Sequence, residues 1–279
     1  MADSALTPHA DGRPRVMGVV NVTPDSFSDG GRFLGAGPAR DHALALLEAG
    51  ADILDIGGES TRPGAEPVSE AEELDRVLPA IDAIKAERPD AVISIDTMKP
   101  AVAEAAVKAG AGMWNDVTAL SGDGALETAA ELGCAVCLMH MQGAPQTMQA
   151  DPRYDNVVAE VAHFLGQRAG AAISAGVARE AIVLDPGVGF GKTLEHNLSL
   201  MAMLEHFTGF GFPVLFGASR KRFIAAIDDT AAQADDRLGG SIAAALHAAR
   251  AGASIVRVHD VRETVQALKV QAAILGARP

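Results

Sequence analysis

Short apolar runs alternate with longer helix-like segments along most of the chain. Eight such runs predict strands, and they cover residues 15–22, 51–58, 91–97, 113–117, 135–140, 182–187, 213–219 and 254–260. Each run is followed by a segment whose apolar residues recur with helical spacing. Strands that alternate with helices indicate a parallel sheet, and eight units in about 250 residues predict a closed (β/α)8 TIM barrel. A doubly wound open sheet is the alternative architecture.

The barrel is predicted to be a single domain over residues 15–279, because no shift in composition divides the chain. Residues 1–14 are predicted to form a disordered tail. Long glycine-rich loops follow the first and second predicted strands, at residues 23–37 and 59–69. Loops of that length in a compact domain are usually lids or binding loops, so both are expected to be flexible.

Polar residues are concentrated where the predicted strands end. They are Asn21, Asp55, Asp96, Asn115, Asp116, His140, Asp185, Ser219, Arg257 and His259. A single Asp or Asn at such a position is often a helix cap. The active sites of TIM barrels, however, are built at the carboxyl ends of the strands. The convergence of so many polar groups therefore predicts a functional site at this mouth of the barrel.

The charge balance limits the classes of partner. The chain has 36 acidic and 23 basic residues and a formal net charge of −13 at pH 7. This balance argues against sequence-independent binding of nucleic acid or of an anionic membrane, since either requires a basic face. No apolar run has the length of a membrane span, and the first residues contain no hydrophobic signal core. With only two cysteines, the reducing cytoplasm is the expected location.

Those two cysteines, Cys134 and Cys137, form a C-x-x-C pair that suggests redox or zinc chemistry. Their odd separation on a predicted strand points the two side chains to opposite faces. The chain has no second cysteine pair to complete a zinc site. We therefore interpret both as buried core residues.

The stretch LDPGVGFGKT, residues 184–193, resembles a nucleotide-binding P-loop. The pattern requires a glycine where this chain has Pro186, which has no N–H and a fixed φ. We interpret the stretch instead as a turn that directs Asp185 into the barrel mouth. Its glycines permit a tight backbone and the close approach of a flat ligand, and Lys192 and Thr193 start the next helix.

Seven motifs then occur in order along the predicted strand ends: NVTPDSFSDGG, GGESTRPGA, ISIDT, WNDV, LDPGVGFGKT, GASRKRF and VRVHD. With these motifs the chain resembles the dihydropteroate synthase family from about Met17 to Val261. The resemblance implies a TIM barrel that is usually a homodimer. It also implies a transferase that joins p-aminobenzoate to 6-hydroxymethyl-7,8-dihydropterin pyrophosphate, releases pyrophosphate in folate biosynthesis, and is inhibited by sulfonamides.

A pterin presents adjacent N–H donors and ring acceptors, so carboxylates and an amide are suitable partners for its edge. The resemblance implies that Asp185 binds the 2-amino and N3 edge, while Asp96 and Asn115 hold the pyrazine side. Lys221 is implied to reach the ring carbonyl and N5, and to flank the p-aminobenzoate site.

The resemblance also implies a p-aminobenzoate pocket formed by Phe27, Thr61, Arg62, Pro63, Phe190 and Ser219. Asp29 is implied to lie near a cationic pterin methylene, where a carboxylate stabilises the charge. Arg222 stands where some relatives carry a serine near the p-aminobenzoate carboxylate. A contact through the backbone N–H would make this replacement neutral, whereas one through the hydroxyl would change affinity or sulfonamide response. Both alternatives stay open.

The pyrophosphate requires cations in this acidic protein. Arg257 and His259 leave the last predicted strand two residues apart, so they face the same side, directly before a helix N-terminus that favours phosphate. By resemblance, Arg62 joins them, and Asn21 binds Mg²⁺, which prefers oxygen ligands and retains several waters. Asp29, Lys221, Arg257 and His259 are thus the predicted catalytic residues. The aromatic amine is already a neutral nucleophile, so no Ser-His-Asp or Cys-His set is required.

Two other functions compete with this one. A methyltetrahydrofolate-binding methyltransferase domain uses a similar Asp and Asn set, but it does not need the Thr-Arg-Pro loop, the Ser-Arg-Lys motif or the Arg-x-His pair found here. A non-catalytic pterin-binding homologue is the second alternative. Such homologues usually lack site residues that this chain retains.

Overall fold

The computed structural model describes residues 5–23, 36–61 and 64–277. Its strands are β1 (Arg15–Asn21), β2 (Ile53–Gly57), β3 (Ile93–Asp96), β4 (Met113–Asp116), β5 (Ala135–Met139), β6 (Ile182–Asp185), β7 (Leu215–Phe216) and β8 (Ile255–Val258). They form one sheet of parallel pairs in the order β6-β5-β4-β3-β2-β1-β8-β7. A parallel bridge between Leu184 and Val214 joins β6 to the segment before β7. The predicted TIM barrel is confirmed, and the alternative prediction of a doubly wound open sheet is wrong.

Helices cover the outside of this sheet. They are α1 (Ala36–Glu48), α2 (Glu70–Glu87), α3 (Pro100–Lys108), α4 (Ala125–Leu132), α5 (Val157–Ala175), α6 (Leu194–Ala202), α7 (Leu204–Thr208), α8 (Arg222–Ile227), α9 (Leu238–Arg250) and α10 (Val261–Gly276). Polar caps set several starts: the side chain of Ser69 accepts from Glu72 N before α2, and that of Asn156 accepts from Ala159 N before α5. Within the described ranges, no helix is long and apolar enough to cross a bilayer.

The interior of the barrel changes from apolar to polar along the strands. Its apolar layer lies towards the strand N-termini and consists of Leu6, Met17, Ile53, Met113, Ala135, Cys137, Val183, Leu215 and Ile255. Because side chains alternate along a strand, the next inward positions are Asp55, Asn115, Asp185 and Arg257. The same inward-facing rows thus form a packed core at one end and a polar mouth at the other.

The outward-facing residues of the strands pack against the helices. Leu54, Ile56, Trp114 and Val136 are each 0% exposed and belong to a second, larger apolar cluster. The indole N–H of Trp114 donates to the carbonyl of Thr97 at 2.8 Å, so its one polar atom is satisfied. Both faces of the sheet are therefore buried, which accounts for the nearly continuous apolar runs in the sequence.

The N-terminal segment differs from the predicted tail. Leu6 is 4% exposed and packs into the apolar layer inside the barrel. Beyond it, His9 N donates to Arg13 O at 2.8 Å, and the guanidinium of Arg15 pairs with Asp52 at 3.2 Å. The prediction of a disordered tail is therefore wrong for residues 5–14, because a buried leucine and a hydrogen-bonded turn hold this segment. Residues 1–4 lie outside the described ranges.

The two long loops are described to different extents. The loop after β1 falls largely on residues 24–35, outside the described ranges, so its predicted flexibility stays a prediction. The loop after β2 occupies residues 58–69, of which 62 and 63 are not described. Its base is held by Lys99, whose ammonium lies 2.6 Å from Glu59 and 2.5 Å from the fully buried Glu73. This loop therefore leaves the barrel from an anchored stem.

The position of Leu6 generates a stability prediction. Leu6→Ala is expected to lower the free energy of unfolding by about 2–4 kcal/mol, because it removes buried methyl groups and leaves a cavity at the end of the barrel. Urea unfolding followed by circular dichroism measures the change. Leu275→Ala is the matched control, since Leu275 is 37% exposed and its truncation should cost less than about 1 kcal/mol. Equal losses for the two variants would contradict the packed role of Leu6.

Candidate active site

The polar mouth brings together side chains from several neighbouring strands. In the register of the sheet, Gly57 pairs with Asp96, Asp96 with Asn115, and Asn115 with Cys137. Gly57 adds no side chain beside Asp96, where a methyl group would be in van der Waals contact with Asp96 Cβ at 3.5 Å. The strand ends therefore form a recess bordered by hydrogen-bonding groups.

Arg257 is the centre of this recess. Its Nε donates to Asp55 at 2.5 Å, and one terminal nitrogen donates to Asp96 at 2.7 Å. Asp55 is fully buried, and it also accepts from the amide nitrogen of Asn115 at 3.2 Å. One arginine thus links two carboxylates, and one of these orients the amide of Asn115. Because a carboxylate only accepts, the amide nitrogen must face Asp55, which leaves the amide oxygen for the recess.

Burial and charge oppose each other at these carboxylates. Burial raises the pKa of Asp96 to about 7, while the positive charge of Arg257 acts to lower it. Burial disfavours the charged form of Arg257, but Asp55 and Asp96 more than compensate and raise its pKa above the usual value. The arginine is therefore the stable charge of the recess, and Asp96 is the group whose protonation responds to its surroundings.

Asp185 reaches the mouth from β6, as the interpretation of LDPGVGFGKT required. It is 6% exposed, and one of its oxygens accepts from Gly187 N at 2.7 Å. Gly187 has φ +68°, and a Cβ there would lie 1.9 Å from the carbonyl oxygen of His140. Burial raises the pKa of the Asp185 carboxyl, and the charges of Lys221, Lys192 and Arg257 oppose that rise. The stretch is thus a tight turn that presents a carboxylate.

Lys221 stands beside Asp185. Its ammonium lies 4.6 Å from the centroid of the Phe190 ring and donates to the carbonyl of Val188. Burial lowers the pKa of Lys221 to about 8, against the attraction of Asp185. A methyl group added at Gly217 would lie 3.7 Å from Arg257 Cβ and 4.0 Å from Lys221 Nζ. The lysine, the arginine and the carboxylates therefore surround one small space.

The GASRKRF segment forms the neighbouring corner. The hydroxyl of Ser219 lies 3.1 Å from His259 Nδ1 and accepts from His259 N at 3.2 Å. Between Ser219 and Lys221, Arg220 has φ +59°, an uncommon value for a residue with a side chain. Its guanidinium is held by Asp260 at 2.6 Å and by Asp235 at 2.5 Å. These ion pairs stabilise the turn that aims Ser219 and Lys221 into the mouth.

For the other predicted site residues that it describes, the structure shows a position in the fold but no contact with the recess. Asn21 is half-buried at the end of β1, and Thr61 is half-buried in the described part of the loop after β2. Arg222 opens α8 with an exposed side chain, so no contact of its guanidinium with the recess is found. The remaining predictions fall outside the described residues: they are Phe27, Asp29, Arg62 and Pro63.

Three residues have positions whose importance the sequence did not reveal. At Asp55 and His140 the sequence indicates only polar groups at strand ends, and at Lys192 only the start of a helix. The structure buries all three, at 0%, 7% and 3% exposure respectively. A charged residue inside an apolar motif was the available signal, since ionised groups are rarely buried unless they are paired.

The cysteines agree with their interpretation as core residues. Cys134 and Cys137 are both free and buried; Cys134, directly before β5, belongs to the larger apolar cluster, and Cys137, on β5, belongs to the apolar layer inside the barrel. Burial raises the pKa of Cys134 to about 11, which disfavours the reactive thiolate. The described residues also contain no group of three or more His, Cys, Asp or Glu side chains that could hold a metal ion.

A model of the family described as pterin binding enzyme matches residues 17–259. The dihydropteroate synthase of Escherichia coli K12 is 52% identical over 265 residues, which cover 95% of this chain and 93% of that protein. The corresponding enzyme of Haemophilus influenzae is 48% identical over 264 residues, with 95% of each protein covered.

Solved structures agree with these relatives. The Xanthomonas albilineans dihydropteroate synthase with 4-aminobenzoic acid has a TM-score of 0.90 and 51% identity, and the match covers 96% of this chain and 94% of that one. The same enzyme in complex with 7,8-dihydropteroate has a TM-score of 0.86 at 47% identity, with 97% of each chain covered. The Yersinia pestis enzyme with a sulfonamide drug complex has a TM-score of 0.90 at 47% identity, covering 96% of this chain and 97% of that one. The chain belongs to the dihydropteroate synthase family of pterin-binding enzymes.

Proposed function

We propose that this enzyme condenses 6-hydroxymethyl-7,8-dihydropterin pyrophosphate with p-aminobenzoate to give 7,8-dihydropteroate and pyrophosphate. The observation that carries the proposal is the recess in which Arg257 links Asp55 and Asp96, next to Asn115, Asp185 and Lys221. The recess combines acceptors for a flat heterocycle with cations for its diphosphate. The relatives with 4-aminobenzoic acid and with 7,8-dihydropteroate support the same substrate and product.

The pterin is proposed to bind along the acceptors. The Asp185 carboxylate accepts from the 2-amino and N3 donors, while Asp96 and the amide oxygen of Asn115 face the pyrazine side. Lys221 donates to the ring carbonyl and N5. These hydrogen bonds are charge-assisted and lie in a largely buried site, so leaving one unmade costs about 1–3 kcal/mol. They therefore select an amino-pyrimidinone edge over rings that lack its donors.

The diphosphate is proposed to lie at the other side of the recess, near Arg257 and His259. These residues precede α10, whose N-terminus favours anions. As the bond between the pterin methylene and the diphosphate oxygen breaks, the cations stabilise the departing charge. The neutral amine of p-aminobenzoate then forms the new C–N bond and releases a proton. Catalysis rests on leaving-group stabilisation, so the amine needs no strong base.

The p-aminobenzoate is proposed to lie against Phe190 and Lys221, with its carboxylate towards Ser219. Phe190 is half-buried and has the Lys221 ammonium over its ring, which makes a flat wall beside a cation. Phe27, Thr61, Arg62 and Pro63 complete the pocket from the first two loops in this proposal, and Asp29 stabilises the cationic methylene. A contact near Arg222 would be made by its backbone, because its side chain is exposed.

Magnesium fits the site only together with the diphosphate. The described residues provide no cluster of acidic ligands, but Asn21 offers a half-buried amide oxygen at the mouth. Mg²⁺ is commonly held by one or two protein oxygens, several waters and substrate phosphates. We propose that Asn21 is the protein ligand and that the bound ion would screen the charge of the diphosphate.

We also propose a homodimer, a cytoplasmic location and inhibition by sulfonamides. An apolar groove of about 440 Å³ lies between α6, α8 and α9, and exposed Leu198 and Ile227 border it. A second copy of the chain is the proposed occupant. The two free, buried cysteines agree with a reducing compartment. The sulfonamide complex of the Yersinia pestis relative supports the proposed inhibition.

The proposed reaction is tested by pyrophosphate release. The enzyme is expected to release pyrophosphate when Mg²⁺, the pterin pyrophosphate and p-aminobenzoate are all supplied, and to lose sustained turnover when either substrate is omitted. Asp185→Ala should abolish the rate and leave the circular dichroism spectrum unchanged, because the residue lies at the mouth. Tight pterin binding without turnover by the wild type would instead indicate a non-catalytic homologue.

Asp55 provides a sharper test of the recess. Asp55 accepts from both Arg257 and Asn115, but in Asp55→Asn the new amide has only one acceptor oxygen. Asn115 must then either turn its own oxygen away from the ligand or leave its amide N–H facing the N–H of the new side chain. Affinity for the pterin pyrophosphate should fall about 10- to 100-fold, as expected for an unsatisfied buried group. Isothermal titration calorimetry measures it. Asp52→Asn is the matched control: Asp52 precedes the same strand at the opposite end of the barrel, and its variant should bind as the wild type does.

Asn21→Ala tests the magnesium proposal. Removing the amide oxygen should raise the Mg²⁺ concentration that gives the half-maximal rate by about 10-fold, because one ligand is lost. The measurement is initial rate against MgCl₂ at saturating substrates. The affinity for the pterin alcohol, which carries no diphosphate, should stay unchanged and serves as the control. An unchanged Mg²⁺ requirement would show that Asn21 is not a ligand.

A further inference from the structure

The turn after β6 is held largely by hydrogen bonds from side chains. Four consecutive carbonyl oxygens, at residues 188–191, each accept from a side chain, and the donors are in order Lys221, Gln149, Lys192 and Tyr154. The N–H of Gly189 donates to the side-chain oxygen of Asn197 at 2.7 Å. The shape of this turn therefore depends on these partners rather than on regular secondary structure.

Lys192 is the most deeply buried of these donors, at 3% exposure. Its ammonium lies 2.9 Å from His140 Nδ1, 3.2 Å from His140 O and 2.9 Å from Phe190 O. An ammonium has three N–H donors, and three acceptors surround this one. The lysine thus ties the end of β5 to the turn after β6, and both of these segments border the recess.

Lys192 and His140 pack tightly against Gly187, which lies two residues after Asp185. A Cβ added at Gly187 would lie 1.9 Å from His140 O and 3.4 Å from Lys192 Nζ, so these groups are in close contact. Gly187 N is the donor that orients the Asp185 carboxylate, at 2.7 Å. Any displacement of the lysine would therefore reach Asp185 through Gly187, and Phe190 through its own carbonyl.

The charges around Lys192 give it an electrostatic role as well. Burial lowers its pKa to about 7, with Asp185 of β6 opposing that change and Lys221 of the turn after β7 adding to it. Burial and the neighbouring lysine lower the pKa of His140, at the end of β5, to about 3, so its ring is a neutral acceptor. Below neutral pH, Lys192 is thus a cation that helps to keep Asp185 ionised.

We propose that Lys192 is a positioning residue for both substrates, because it fixes Phe190 and the pterin-binding carboxylate of Asp185 through the junction of β5 with the turn after β6. This inference rests on the proposed function. The lysine has two effects in this inference: its hydrogen bonds hold the wall of the p-aminobenzoate pocket, and its charge, together with those of Lys221 and Arg257, favours the ionised form of Asp185.

Lys192→Met and Lys192→Arg separate these effects. Lys192→Met removes the donors and the charge, so the KM for p-aminobenzoate should rise about 10-fold. The pH below which 6-hydroxymethyl-7,8-dihydropterin loses affinity should also move up, because Asp185 loses a cation that opposes the rise of its pKa, whereas Asp96 keeps Arg257 in every variant. Lys192→Arg keeps the buried charge, although its planar guanidinium does not reproduce all three contacts, and it should leave that pH unchanged. Initial rates and calorimetry from about pH 5 to 8 measure the two quantities. This pterin carries no diphosphate, so ligand phosphates do not titrate in that range.

Lys269→Met is the matched control, because Lys269 is exposed on α10, and it should change neither quantity. If Lys192→Met does not fold, Lys192→Gln keeps a donor without the charge and should still show the shifted pH. A Lys192→Met enzyme that only melts at a lower temperature, with wild-type KM and pH dependence, would overturn the inference and leave the lysine a purely structural role. A wild type without turnover would contradict the proposed function instead.

Discussion

The recess depends on one ion-pair arrangement, in which the guanidinium of Arg257 lies between Asp55 and Asp96. Arg257 belongs to β8, and it reaches past β1 to carboxylates on β2 and β3. Leaving such a buried charge without its partner costs about 3–5 kcal/mol. The polar mouth can therefore exist inside a folded barrel only because cations from the later strands balance the acids of the earlier ones. The same balance leaves acceptors facing the space where a heterocycle would bind.

Asn115, Asp185 and the turn from Ser219 to Lys221 are each held by a residue that has no proposed contact with a ligand. Asp55 orients the amide of Asn115, Gly187 orients the carboxylate of Asp185, and the ion pairs of Arg220 hold the turn between Ser219 and Lys221. The polar groups are thus set in place before any ligand arrives, which lowers the cost of ordering them on binding. Positioned dipoles of this kind stabilise developing charge without reorganising.

The sequence was sufficient for the barrel and for the mouth at which the polar strand ends gather, because apolar runs and polar strand ends follow directly from the parallel sheet. It also placed Asp185 correctly once Pro186 had excluded a P-loop. It failed where a side chain's role depends on contacts across the barrel: Leu6 had no periodic neighbours to mark it as buried, and Lys192 looked like part of a helix start. Local pattern carries no information about partners that lie far away in the chain.

The burial of Leu6 has a consequence for the order of assembly during synthesis. This residue is translated before all eight strands, yet its neighbours inside the barrel include Leu215 of β7 and Ile255 of β8. The cavity that receives it does not exist until the last strand has paired with the first. The segment around Leu6 must therefore stay outside its final position until β8 has been translated, and its docking is a late step of folding.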